Sequence, residues 1–135
     1  MTDYSATADA PIRFESEQLF DAIERCSAPS FDLLEFGVIG FDRTGVVRRY
    51  NAMESRLGGL AASTVVGHHL FDVVAPCMNN FMVAERFIDA LSERRALDIV
   101  IDYVLTLRMR PQRVKLRLLA QPDADMRYVL VQRNL

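Results

Sequence analysis

The sequence predicts an α+β domain: a five-stranded antiparallel sheet with helices packed on it. Three observations carry this. Late in the chain Leu97, Ile99, Ile101, Tyr103, Leu105 and Leu107 alternate with Asp98, Val100, Asp102, Val104 and Thr106, the period of a strand. Early in the chain Asp42-Arg43-Thr44-Gly45 is turn chemistry between two apolar runs, the mark of a hairpin. Between these, Phe81, Ala84, Phe87, Ile88 and Leu91 recur at helical spacing.

In order, residues 1–12 are small and polar and read as a flexible leader. Residues 13–30 read as an N-terminal cap helix, with Ser16 as N-cap and Leu19, Phe20, Ile23 and Cys26 on one face, closed by Ala28-Pro29. Residues 31–135 then form the core of the domain. Leu34–Phe41 and Val46–Asn51 are the two hairpin strands. Residues 51–76 mix short helical pieces with Gly58, Gly59, Gly67 and Pro76, and Ser63 is placed to cap one of them. Irregular stretches of this length inside a small domain tend to be binding regions. Asn80 is the expected cap of a helix running to Arg95. Three strands follow, turned by Arg110-Pro111-Gln112 and by Pro122-Asp123-Ala124-Asp125, the last running from Met126 to Gln132.

The bulk chemistry excludes several classes. With 16 basic and 18 acidic residues the net charge is −2, which gives no electrostatic case for nucleic acid or an anionic membrane surface. No apolar run is long enough to span a bilayer, and the N-terminus lacks a secretion signal. A cytoplasmic location is the expectation. His68 and His69 are adjacent, with no cysteine near them in sequence, and are read as solvated loop residues rather than metal or haem ligands. Arg108, Arg110, Arg113, Lys115 and Arg117 form a basic stripe over two strands, read as a solvated sheet face because no aromatics interleave for base stacking.

The residues best suited to chemistry are Cys77, Tyr50 and Glu54. A thiolate can attack an activated acyl group and hold it as a thioester, and Pro76 fixes the backbone just before Cys77. If the chain turns helical after Asn51, Tyr50 and Glu54 point to one side, where a phenol and a protonated acid can both donate to one buried anion. By default, however, Cys77 is a small core hydrophobe, Tyr50 a sheet-edge aromatic and Glu54 a solvated helix residue.

From about Phe31 to Arg133 the chain resembles the photoactive yellow protein family of the PAS-domain superfamily. The resemblance rests on Phe36-Gly37-Val38-Ile39, Tyr50-Asn51-Ala52-Met53-Glu54, Val66-Gly67 with Phe71, Val74-Ala75-Pro76-Cys77, and Met109-Arg110-Pro111 leading to Val114-Lys115. It implies a PAS fold and a blue-light photoreceptor rather than an enzyme. The implied cofactor is p-coumaric acid, thioester-linked to Cys77, its phenolate accepting hydrogen bonds from Tyr50 and from protonated Glu54. Trans–cis isomerisation, proton transfer from Glu54 and partial unfolding would make the signal, and Met109 stands at the position associated with thermal return. Three departures stand out: Gly58 where the family has a supporting threonine, Leu60 where it has a shielding arginine, and Leu105 and Leu107 in place of late-strand aromatics. The competing reading is a light-independent PAS module that binds a small ligand or dimerises. In either case output is expected to pass to a separate, unidentified signalling protein or through a change in dimer state.

Overall fold

The computed structural model describes residues 11–106 and 110–133. Most of the expected leader, together with Leu107, Arg108 and Met109, lies outside the described residues. The chain runs α1 (Leu19–Arg25), α2 (Ala28–Asp32), β1 (Gly37–Phe41), β2 (Val47–Tyr50), α3 (Ala52–Gly58) and α4 (Ala62–Val65). A π-helical turn (Leu70–Val74) and a 3-10 turn (Pro76–Met78) lead to α5 (Ala84–Ser92), β3 (Leu97–Leu105), β4 (Gln112–Ala120) and β5 (Arg127–Arg133). The strands form one antiparallel sheet in the order β2-β1-β5-β4-β3, so the chain's last strand sits at its centre.

Because side chains alternate across a strand, the sheet has two buried faces. One face, with Ile39, Val47, Leu116, Leu118, Val129 and Val131, packs under the segment from α3 to α5. The other, with Val38, Leu119, Tyr128 and Leu130, is covered by the N-terminal segment through Phe14, Leu19, Phe20, Ile23 and Phe31. The N-terminal layer is tied to the sheet through two arginines. Arg117 donates to the Phe14 and Ser16 carbonyls at 2.8 Å and to both oxygens of Asp98. Arg49 donates to the Ile23 carbonyl at 3.1 Å and to the Tyr128 hydroxyl at 2.9 Å, and lies 4.0 Å from the Phe31 ring centroid.

Several local expectations differ from the structure. Ser16 does not cap α1; its hydroxyl accepts from Arg13 N, and Gln18, with φ of 53°, occupies the cap position. Pro29 does not merely end a helix, since it sits in the first turn of α2, where its missing N–H costs nothing, behind the capping Ser27. β1 begins at Gly37 rather than Leu34, because the Phe36 carbonyl is taken by Asn51 Nδ2. Ser63 lies inside α4, capped instead at Ala61 without a side-chain bond. Asn80 Oδ1 does accept from Met82 N and Val83 N, but the regular helix starts only at Ala84, which leaves Phe81 ahead of it and exposed. In the basic stripe Arg117 is buried, not solvated, because the N-terminal segment covers it.

Candidate functional site

Asn51 organises the site. Fully buried at the end of β2, it accepts from Glu54 N at 3.1 Å as N-cap of α3 and from Val38 N at 2.9 Å. Its amide donates to the Phe31 and Phe36 carbonyls. A short polar side chain at this position satisfies orphan helix N–H groups and pins α3 to β1 at once. Glu54, in the first turn of α3, is thereby laid against the sheet and is only 1% exposed. It fits because β1 has no side chain beneath it: a Cβ on Gly37 would stand 2.0 Å from Glu54 Oε1.

The partner of Glu54 comes from the far end of the chain. Arg133, in phase with Val129 and Val131 on β5, donates from Nη1 to Oε1 at 2.8 Å and from Nη2 to Oε2 at 3.0 Å. Its Nε donates to Gln112 Oε1 at 3.0 Å. Both side chains of the pair are 2% exposed. A bidentate fork of this kind is the pairing of a guanidinium with an ionised carboxylate. Where the resemblance implies a donor to a phenolate, the structure shows Glu54 facing Arg133 at both oxygens. Leu60, where the resemblance expects an arginine, packs against the core.

Tyr50 closes β2 with its ring in the core, 7% exposed. Among the described residues, none makes a hydrogen bond to its hydroxyl. Burial holds the phenol's proton more tightly than usual, the Glu54 charge adds to this, and Arg133 opposes it. Gly58, at the last turn of α3, brings the three groups together. A Cβ there would lie 2.9 Å from Glu54 Oε2, 3.3 Å from Tyr50 Oη and 3.6 Å from Arg133 Nη2. At the position marked in the sequence as a missing threonine, a phenol, a carboxylate and a guanidinium therefore converge so closely that a methyl group would crowd them. Beside it opens a cavity of about 410 Å³ bounded by Leu57, Gly58, Leu105, Arg110, Gln112 and Arg133.

Cys77 lies in the 3-10 turn that Pro76 begins, half-buried, and packs against the same core cluster that holds Tyr50. The turn is braced by β3. Tyr103 Oη donates to the Cys77 carbonyl at 2.5 Å, and Asn80 Nδ2 reaches the same carbonyl at 3.2 Å and the Tyr103 hydroxyl at 2.6 Å. Cys26 packs in the layer on the opposite face of the sheet, and both cysteines are free. His69 Nδ1 accepts from Asp72 N at 3.2 Å and caps the π-helical turn. Among the described residues no cluster of His, Cys, Asp or Glu is arranged to hold a metal ion, and no helix is long and apolar enough to cross a membrane.

Sequence reading missed Arg133, Gly37, Asn51, Gln112 and Tyr103. For Arg133 a signal exists: it continues the inward phase of Val129 and Val131, one residue beyond the expected end of the strand at Gln132.

A five-stranded antiparallel sheet with a helical segment crossing one face is the architecture of a sensory PAS domain, and residues 31–132 match the family described as PAS fold, to which the chain belongs. Its relatives narrow this to the photoactive yellow protein family. Photoactive yellow protein of Rhodothalassium salexigens is 29% identical over 122 residues, 90% of this chain and 97% of the relative. That of Rhodobacter capsulatus is 30% identical over 100 residues, 74% of this chain and 80% of the relative. The crystal structure of the photoactive yellow protein domain of the sensor histidine kinase Ppr from Rhodospirillum centenum is 34% identical, with a TM-score of 0.77, covering 84% of this chain and 98% of that one.

Proposed function

We propose that this chain is a blue-light photoreceptor module carrying p-coumaric acid as a thioester on Cys77. The observation that carries the reading is the buried Tyr50 hydroxyl, without a partner among the described residues, beside Glu54 and Arg133 at Gly58. An orphan phenol in a core costs about 1–3 kcal/mol, and an oxyanion brought against the hydroxyl relieves that cost. When attached, the chromophore supplies a light-isomerised double bond and a phenolate whose charge can be lost and regained.

The chain's own residues do the rest. Pro76 and the Tyr103–Asn80 brace fix the turn from which the Cys77 sulfur projects. Tyr50 donates to the anionic oxygen. Pro76, Tyr50 and Glu54 are read as contacts of the chromophore, as the resemblance implies, together with Met109, which lies outside the described residues. Glu54, however, accepts at both oxygens from Arg133, so the proton-donor role implied by the resemblance requires that pair to open first. Any change of charge among these groups is felt by β5, which carries Arg133 toward one layer and Tyr128, latched to the N-terminal segment, toward the other. Release of that segment is the signal, passed to a separate protein or to a second copy of this chain.

A second reading, a light-independent module for a small anionic ligand, has one observation in its favour: the cavity beside Gly58 is lined by Arg110 and Arg133 and not by Cys77. Reconstitution with activated p-coumarate separates the two. A visible band that blue light bleaches, that recovers in the dark, and that Cys77→Ser abolishes supports the photoreceptor. Colourless protein with its Cys77 thiol still open to alkylation refutes it.

A further inference from the structure

We propose that the cavity between the β1–β2 turn, the π-helical turn and α5 is a second, non-covalent ligand site, built for a small carboxylate on an apolar body, with Arg127 pairing with the carboxylate. The site is separate from the proposed chromophore site, since neither Cys77 nor Tyr50 nor Glu54 lines it.

The observation behind this is a buried cation without a partner. Arg127 begins β5 opposite Phe41 on β1 and Ala120 on β4, so its side chain leaves the sheet on the face that α5 covers. It is 4% exposed. Buried charges are normally paired, and the two other buried arginines among the described residues are: Arg117 with Asp98 and Arg133 with Glu54. Among the described residues, none takes a hydrogen bond or an ion pair from the Arg127 guanidinium. The acids around it are engaged elsewhere. Asp42 accepts from Thr44 N, Thr44 Oγ1, Val46 N and Arg48 Nε. Asp125 pairs with Arg43 at 3.3 Å, and Asp72 accepts from Asn79 Nδ2 at 3.4 Å and lies 3.5 Å from His69 Nδ1. Burial and the Arg43 charge loosen the hold of Arg127 on its proton, opposed by Asp42 and Asp125 from beyond pairing distance.

The cavity in front of Arg127 has a volume of about 280 Å³, near the small end of ligand sites, which suits one ring or a short branched chain. Phe41, Phe71 and Phe87 line it, with ring centroids 5.0, 5.5 and 6.4 Å apart, and the exposed Ile88 and Leu91 stand at its mouth. A second donor faces it. His69 Nδ1 accepts from Asp72 N at 3.2 Å, so in the neutral ring the proton sits on Nε2. That nitrogen lies against Gly45, where a Cβ would collide with it, and meets no acceptor among the described residues. A carboxylate brings acceptor oxygens for the Arg127 fork and for His69, and its apolar body covers the phenyl rings. Inorganic phosphate brings charge without that body, and its second charge would face Asp42 and Asp72, which also line the cavity. A neutral alcohol brings the body without the charge.

Benzoate is the probe, added to the apoprotein and followed by amide NMR. It is expected to shift Thr44, Gly45, His69 and the residues of α5, with millimolar or tighter affinity. Arg127→Gln should weaken it about tenfold or more, the worth of a charge-assisted bond, and benzyl alcohol and inorganic phosphate should bind far more weakly. Ile88→Glu, a change at an exposed position that leaves the fold intact, should weaken benzoate, whereas Ile88→Lys should not. Because Arg127 is unpaired in the free protein, Arg127→Met should leave the urea midpoint unchanged or higher, and benzoate should raise the midpoint of the wild type only. No shifts, or shifts centred on Tyr50, Glu54 and Cys77, would overturn the site. Benzyl alcohol or phosphate matching benzoate would overturn the ligand class. Undiminished affinity in Arg127→Gln, equal weakening by both Ile88 variants, or a lower midpoint in Arg127→Met would overturn the role of Arg127. None of these measurements needs attached p-coumarate, so the photoreceptor reading can fail without this one, and the reverse.

Discussion

A single methyl group at Gly37 tests the packing on which the site depends. In a β-strand Ala is otherwise as good as Gly or better, since it restricts the unfolded chain and gains about 0.4–1 kcal/mol where the backbone permits it, and Gly37 has no positive φ that Ala would resist. Here the added Cβ would lie 2.0 Å from Glu54 Oε1, 3.1 Å from its Cδ and 3.2 Å from its own Cβ. The carboxylate cannot move toward Gly58, which Oε2 already crowds, without leaving Arg133, which holds it at 2.8 and 3.0 Å. Gly37→Ala therefore exchanges a steric clash for a broken buried ion pair, about 3–5 kcal/mol, a large part of a small domain's stability. With a urea m-value of about 1–3 kcal/mol/M the unfolding midpoint should fall by roughly 2 M. In a Glu54→Ala background the contacts with the carboxyl group are gone and only the 3.2 Å approach to Cβ remains, so the same substitution should cost less than about 1 kcal/mol. A loss below about 1 kcal/mol in the wild-type background, or an equal loss in both, would refute the reasoning.

Three further outcomes are expected. Arg117→Gln removes bonds to the Phe14 and Ser16 carbonyls and to Asp98, so stability should drop by about 2–3 kcal/mol and limited proteolysis should cut faster in the segment before α1. Tyr50 and Tyr128 both hold their protons more tightly folded than unfolded, chiefly through burial. Their contribution is complete below the unfolded value near 10 and is lost as pH rises toward the folded values, so the urea midpoint should decline above about pH 10, less steeply in Tyr50→Phe/Tyr128→Phe. Asp42 is held well below the usual carboxylate range, first by the Thr44 hydroxyl bond and then, against an opposing burial penalty second in size to that bond, by Arg48, Val46 N and Thr44 N. Its stabilisation is present above the unfolded value near 3.9 and fades as pH falls below it, so wild type and Asp42→Asn should converge in acid urea titrations.

The sheet was legible because its strands alternate: Leu97 to Leu105 and Val114 to Leu118 face the core as their spacing requires. The hairpin turn was legible from Asp42 to Gly45. Helix limits were not, because capping is decided by contacts distant in sequence, as when Asn51 Oδ1 serves both Glu54 N and Val38 N. Tyr50, Glu54 and Cys77 were readable as residue types with their spacing. The partner of Glu54 was not, since Arg133 lies 79 positions away and meets it only because β5 runs through the middle of the sheet. Gly58 reads in sequence as the loss of a hydrogen bond, and only the fold shows three polar groups converging there.

The most direct measurement is the intact mass of protein incubated with activated p-coumarate. One coumaroyl group per chain is expected, absent from Cys77→Ser and present in Cys26→Ser. An unmodified wild-type mass, or an adduct that survives Cys77→Ser, would contradict the assignment of Cys77 as the point of attachment.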